Sequence, residues 1–136
     1  MSRYMLDTNI CIYLMKNQPP AVARRFAQCS VGDVMISAIT FAELEFGVLV
    51  SSDRVGQRRH LNNLIKSIPV APFDARAAAA YGPIRHATQE RKRDQLHKLI
   101  AAHALSLQII LVTNNVRDFA AYPGIQIENW LDEPLP

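Results

Sequence analysis

The sequence predicts an α/β fold in which a central parallel sheet is flanked by helices. Short apolar runs alternate with longer segments of helical period along the chain. The run Ile109-Ile110-Leu111-Val112 is apolar at every position, as a strand covered on both faces requires. Polar residues gather where these runs stop, the edge at which open parallel sheets bind ligands. With 136 residues, 49% of them hydrophobic and 20% charged, the chain suffices for one domain spanning 1–136 and is too apolar for disorder.

Tyr4, Met5 and Leu6 form the first strand, which stops at Asp7-Thr8-Asn9, residues suited to turns and helix caps. Residues 10–15 read as a buried helix ended by Pro19-Pro20, and residues 21–28 as a second helix. Val34-Met35-Ile36-Ser37 is the second strand. Thr40-Phe41-Ala42-Glu43 has the capping-box pattern and opens an apolar helix to about residue 50. A more polar helix over 53–67 carries Leu61, Leu64 and Ile65 at helical spacing, with Ile68 continuing the pattern. Residues 70–73 form the third strand. Asp74 caps an alanine-rich helix in which Pro83 either makes a kink or starts a new helix. Asp94 can cap the next helix, which sets Leu96, Leu99, Ile100, His103 and Leu107 on one face. The strand at 109–112 ends at Thr113-Asn114-Asn115, and residues 125–127 are the last strand.

A net charge of +3 permits an anionic partner without arguing for one. Cys11 and Cys29 match no metal or redox spacing and are too few for a disulfide scaffold. The opening MSRYMLDTNI reaches an acid before any apolar stretch long enough for a signal peptide. No window nears the ~18 uncharged apolar residues of a membrane span. These features lead to the expectation of a soluble, cytoplasmic protein.

Asp7 follows the first strand, and Asn115 and Asp118 follow the strongest one. Glu43, in the first turn after the second strand, belongs to the same edge. Carboxylates gathered there repel one another unless a cation sits between them, and hard oxygen ligands select Mg²⁺ or Mn²⁺ over zinc. Each residue also has a plain structural reading. Asp7 can cap the helix at Asn9, Glu43 can be the reciprocal half of a capping box with Thr40, and Asn115 and Asp118 can be turn formers. Glu45 reads as a solvated residue, His103 as a satisfied core histidine and Cys11 as packing. Arg85, His86, Arg91, Lys92, Arg93 and Lys98 surround the start of the Asp94 helix, either as a basic rim for phosphates or as a solvated face. No aromatic residues interleave with them, so a base-stacking platform is not indicated.

Several ordered motifs go further. Met5-Leu6-Asp7-Thr8-Asn9-Ile10 and Ile39-Thr40-Phe41-Ala42-Glu43-Leu44-Glu45-Phe46-Gly47 are followed by Leu99-Ile100-Ala101-Ala102-His103-Ala104. Leu111-Val112-Thr113-Asn114-Asn115-Val116-Arg117-Asp118-Phe119, Pro123-Gly124 and Glu128-Asn129-Trp130 complete the series. Together they closely resemble PIN-domain proteins, in particular VapC-type toxins of bacterial toxin–antitoxin pairs. The resemblance implies a ribonuclease dependent on Mg²⁺ or Mn²⁺, with transfer RNA as its substrate. It implies a VapB-type antitoxin whose C-terminal segment covers the site, and a homodimer or toxin–antitoxin hetero-oligomer.

The resemblance also places metal-holding acids at Asp7 and Glu43, a third acid three residues before Ile100, and a fourth in the loop after Thr113. Two positions depart from it. The third is His97, a catalytic and metal-binding position filled here by imidazole, with Asp94 one helical turn upstream as the alternative. The fourth reads Asn115, with Asp118 nearby. Imidazole supplies a neutral nitrogen where an anionic oxygen is expected, so a weak or inactive nuclease is predicted. The rivals are an inactive PIN-domain protein that binds and titrates its antitoxin, and a DNA-directed nuclease on the same scaffold.

Overall fold

The computed structural model describes residues 2–131. The chain runs β1 (Tyr4–Leu6), α1 (Thr8–Lys16), α2 (Pro20–Ala27), β2 (Val34–Ser37), α3 (Ala38–Val50), α4 (Arg54–Ser67) and β3 (Val70–Ala71). It continues through α5 (Ala75–Ala87), α6 (Gln95–Leu107), β4 (Ile110–Val112), α7 (Val116–Phe119) and β5 (Ile127–Glu128). The strands form one sheet in the order β3-β2-β1-β4-β5, and every pairing is parallel. Met5 of β1 stands opposite Met35 on one side and Leu111 on the other.

Alternation along the strands divides the core into two layers, because successive side chains leave a strand on opposite faces. Tyr4 and Leu6 pack with Ile10, Ile36, Leu61 and Trp130 under α1, α2 and α4. Met5 and Leu111 pack with Ile84, Ile100, Phe119 and Tyr122 under α5 and α6. Each such fully buried side chain contributes about 2 kcal/mol. Among the described residues no helix is long and apolar enough to cross a membrane.

Several boundaries differ from the expected ones. The capping box is absent: α3 begins at Ala38, and its cap is Ser37, whose hydroxyl accepts from the Ile39 N–H at 3.0 Å. β2 passes into α3 without a loop, so the cap falls on the last strand residue and Glu43 is released from any capping role. Helix α5 continues through Pro83 as one element. The face of α6 is also displaced. Leu96 and Leu107 are exposed, whereas Lys98, Ile100, Ala101, Ala102, His103 and Ala104 are buried. Small alanines let α6 sit close to its neighbours, a packing choice that hydrophobic period alone does not register. His103 is a satisfied core residue, with Nδ1 2.7 Å from the Ser37 hydroxyl and an edge-on contact with Phe73. Glu45 holds Arg58 through two short bonds, at 2.6 and 3.0 Å, joining α3 to α4.

Candidate active site

Strand β1 delivers Asp7 to the carboxyl edge of the sheet, where its backbone N–H donates to the Val112 carbonyl at 3.0 Å. The Asp7 carboxylate caps α1 by accepting from the Ile10 N–H at 2.9 Å, and it also accepts from the Thr113 hydroxyl. Cap and site residue are therefore one side chain. Asp7 is only 5% exposed, and burial pushes its carboxyl above the usual range. The bonds from Thr113 and Ile10 and the field of His97 pull it back, while the charge of Glu43 pushes it up further. A buried carboxylate that feels a second acid is the arrangement a cation relieves.

Glu43 faces this edge from the second turn of α3, and the Thr8 hydroxyl donates to its Oε1 at 2.6 Å. Past β4, the Thr113 hydroxyl accepts from the Asn115 N–H at 2.9 Å, and the Asn115 side-chain amide donates to Asp118 at 3.0 Å. Asn115 and Asp118 thus shape a turn, and the Asn115 N–H meets the same Thr113 hydroxyl that bonds Asp7, whereas the Asp118 carboxylate is held by Asn115 and not by Asp7.

His97 lies in the first turn of α6, with its ring tilted against Phe119 at a centroid separation of 5.0 Å. Its Nδ1 is buried without a hydrogen-bond partner among the described residues. Asp94, the alternative acid, is already engaged. Its side chain makes no cap bond to α6; instead it accepts from the Tyr122 hydroxyl at 2.6 Å and pairs with the Lys98 ammonium at 3.1 Å. Burial raises the Asp94 carboxyl, but Tyr122 and Lys98 outweigh it and hold the group below its ordinary range. Lys98 is no part of a basic rim. It is buried, and it donates to the Thr88 and Arg91 carbonyls at 3.0 and 2.8 Å.

The PIN domain family model matches residues 4–125. The chain belongs to the PIN-domain family, among proteins of VapC type. It is 38% identical over 132 residues to the tRNA(fMet)-specific endonuclease VapC of Shigella flexneri, covering 96% of this chain and 99% of that protein. It is 31% identical to ribonuclease VapC2 of Rickettsia felis over 93% of this chain and 97% of that one. The crystal structure of DNA-bound VapBC from Salmonella typhimurium superposes with a TM-score of 0.88 at 36% identity, over 96% of this chain and 99% of that chain.

In this PIN domain the donor set fits a hard divalent cation at one corner only. Asp7 and Glu43 supply oxygen ligands, and Mg²⁺ commonly takes one or two carboxylates and keeps several waters. The expected trio Asp7, Glu43 and His97 is not preassembled: among the described residues no three of His, Cys, Asp or Glu converge to hold a metal ion. The physical reason is that the His97 ring packs on Phe119 rather than joining the two acids.

Sequence reading missed the role of Lys98, whose only signal was its position one turn after Asp94. Lys98→Met should cost about 3 kcal/mol in urea unfolding at neutral pH, because it takes a buried ammonium away from the part-buried Asp94 carboxylate and from two carbonyls. A carboxyl held low in the folded state stabilises the fold above its ordinary range, and that contribution disappears as pH falls through the folded value. The gap between parent and variant should therefore narrow on acidification. A constant gap, or a loss under 1 kcal/mol, would contradict this role for the pair.

Proposed function

We propose that this chain is the toxin of a type II toxin–antitoxin pair, a metal-dependent endoribonuclease acting on transfer RNA. The observation that carries the reading is the meeting of Asp7 and Glu43 at the sheet edge of a chain so similar to a tRNA(fMet)-specific endonuclease. Asp7 and Glu43 would hold Mg²⁺ or Mn²⁺, which when bound orients and activates water for in-line attack on a phosphodiester. The chain's own residues prepare that corner. Thr8 fixes Glu43 through a part-buried bond, and Thr113 and the Ile10 N–H fix the buried Asp7. His97, a nitrogen donor at an expected acid position, favours low activity, and it gives the non-cleaving, antitoxin-titrating reading its one supporting observation.

The surface suits a VapB-type antitoxin. A groove of about 200 Å³ runs from Glu43 past Ile12, Met15, Leu44 and Gly47, so an apolar segment seated there would cover the site. Phe46, Leu49, Val50 and Val55 are exposed nearby on α3 and α4, more apolar surface than a lone chain commonly leaves in contact with water. Light scattering at micromolar concentration is expected to show a homodimer, and a lone species of 15.3 kDa would count against it.

The deciding experiment offers total transfer RNA, and DNA at equal phosphate concentration, to the parent and to His97→Asp, with Mn²⁺ or with chelator. Metal-dependent cleavage of transfer RNA supports the proposal. Cleavage of DNA alone would establish the DNA-directed reading, and no cleavage by either protein would establish the binding-only one.

A further inference from the structure

We infer that the third corner of this site is a phosphate subsite: the cavity beside His97 takes a phosphodiester of bound nucleic acid where the family pattern has a metal-holding acid. The inference rests on the nucleic-acid reading above and names how that substrate is held. A cavity of about 530 Å³ lies between the loop before α6 and Asp118, with Arg91, Lys92, Arg93 and His97 in its wall. Two of the acids in the same wall are already satisfied, Asp94 by Lys98 and Tyr122, and Asp118 by the Asn115 amide. Lys92 and Arg93 are exposed, and no acid among the described residues pairs with them. The third acid of the wall, Glu90, is exposed to solvent, so Lys92, Arg93 and His97 face the cavity against one outlying carboxylate.

Hydrogen-bond chemistry at position 97 points the same way. An ionised carboxylate only accepts and repels phosphate, whereas imidazole in any protonation state carries at least one N–H. Among the described residues the His97 ring makes no hydrogen bond, and its Nδ1 is buried. A buried N–H without an acceptor is costly, so the proton of the neutral ring belongs on Nε2, where it can donate to a ligand. Arginine adds a planar fork matched to phosphate oxygens.

The loop is also held in place. Lys98 grips the Thr88 and Arg91 carbonyls, and Arg91 donates to the Asp118 carbonyl at 2.8 Å. Cations on a fixed loop lose little freedom when a phosphate arrives, which preserves affinity.

The test is anisotropy of a labelled single-stranded RNA oligonucleotide with the full chain in chelator, so that neither metal nor cleavage enters. His97→Asp is expected to weaken binding roughly tenfold or more, through loss of a donor and gain of a like charge. His97→Asn, which keeps an N–H without charge, should stay within about threefold, and thermal midpoints verify that both variants fold. Lys92→Gln with Arg93→Gln should reduce the slope of log affinity against log salt by about 1.4. Lys66→Gln, in the last turn of α4 and outside this cavity, controls for simple loss of positive charge.

Equal binding by His97→Asp and the parent would overturn the subsite. So would displacement of the RNA by low-millimolar inorganic phosphate at constant ionic strength, which would assign the cavity to free phosphate. Failure of the nuclease reading looks different. No variant would then cleave RNA with metal, while the order of metal-free affinities would stand.

Discussion

Asp7→Asn is expected to abolish metal-dependent RNA cleavage and at the same time to stabilise the fold. The loss follows from position: Asp7 is one of two acids that converge at the sheet edge, and an amide oxygen carries no net charge toward a cation. Removing a ligand that acts in the transition state costs several kcal/mol, and about 4 kcal/mol is a thousandfold in rate. The gain in stability follows from burial. The carboxylate is only 5% exposed, and burial together with Glu43 works against its charge. Asparagine caps helices as well as aspartate does, and its oxygen can still accept from the Ile10 N–H and the Thr113 hydroxyl. Replacing a buried site charge that burial disfavours commonly stabilises by about 1 kcal/mol. Cleavage is best followed in the His97→Asp background, where there is activity to lose, and stability by urea unfolding. A variant that cuts as well as its parent would remove Asp7 from the metal site. A variant less stable than its parent would show that the cap, rather than the charge, dominates at this position.

His97→Asp should raise metal-dependent cleavage by orders of magnitude. Aspartate adds a hard anionic oxygen to Asp7 and Glu43, whereas imidazole offers a neutral nitrogen that prefers softer metals. The fold should persist, because His97 is half-buried against Phe119 at the rim of an open cavity, and a smaller polar side chain leaves that rim wet. Expression without antitoxin should become toxic. Equal cleavage by parent and variant would mean that position 97 lies outside the metal site. The same substitution should weaken metal-free RNA binding, so the two readouts move in opposite directions and separate metal chemistry from phosphate recognition.

Much of the fold was legible because the signals were local. The uninterrupted apolar run at 109–112 demanded a strand covered on both faces, the short apolar run at 4–6 gave the first strand, and the Asp74 cap lay one residue ahead of its helix. Errors arose where a local pattern had a tertiary competitor. Thr40 and Glu43 match a capping box, yet β2 runs directly into α3, so Ser37 takes the cap and Glu43 bonds Thr8 instead. Lys98 reads as part of a basic surface, but the turn before α6 buries its stem and surrounds its ammonium with carbonyls and Asp94. Arg25 gave no signal at all. In the structure it bonds Glu128 at 2.9 Å and Tyr4 at 3.1 Å, and it lies over the Tyr4 and Trp130 rings, joining α2 to both ends of the chain.

By itself the sequence determined the family, the parallel architecture and the identity of the acids at the strand ends, because motif order and apolar period are properties of neighbouring residues. Tertiary structure alone decided which polar groups are free to act. Asp94 and Lys98 neutralise one another, Glu43 is fixed by a hydroxyl 35 positions away, and the His97 ring lines a cavity without a hydrogen-bond partner for its Nδ1 among the described residues. Whether a side chain can serve a ligand depends on whether the fold has already satisfied its charge and hydrogen bonds. Those partners come from distant parts of the chain, brought together only when the sheet and its two helical layers close.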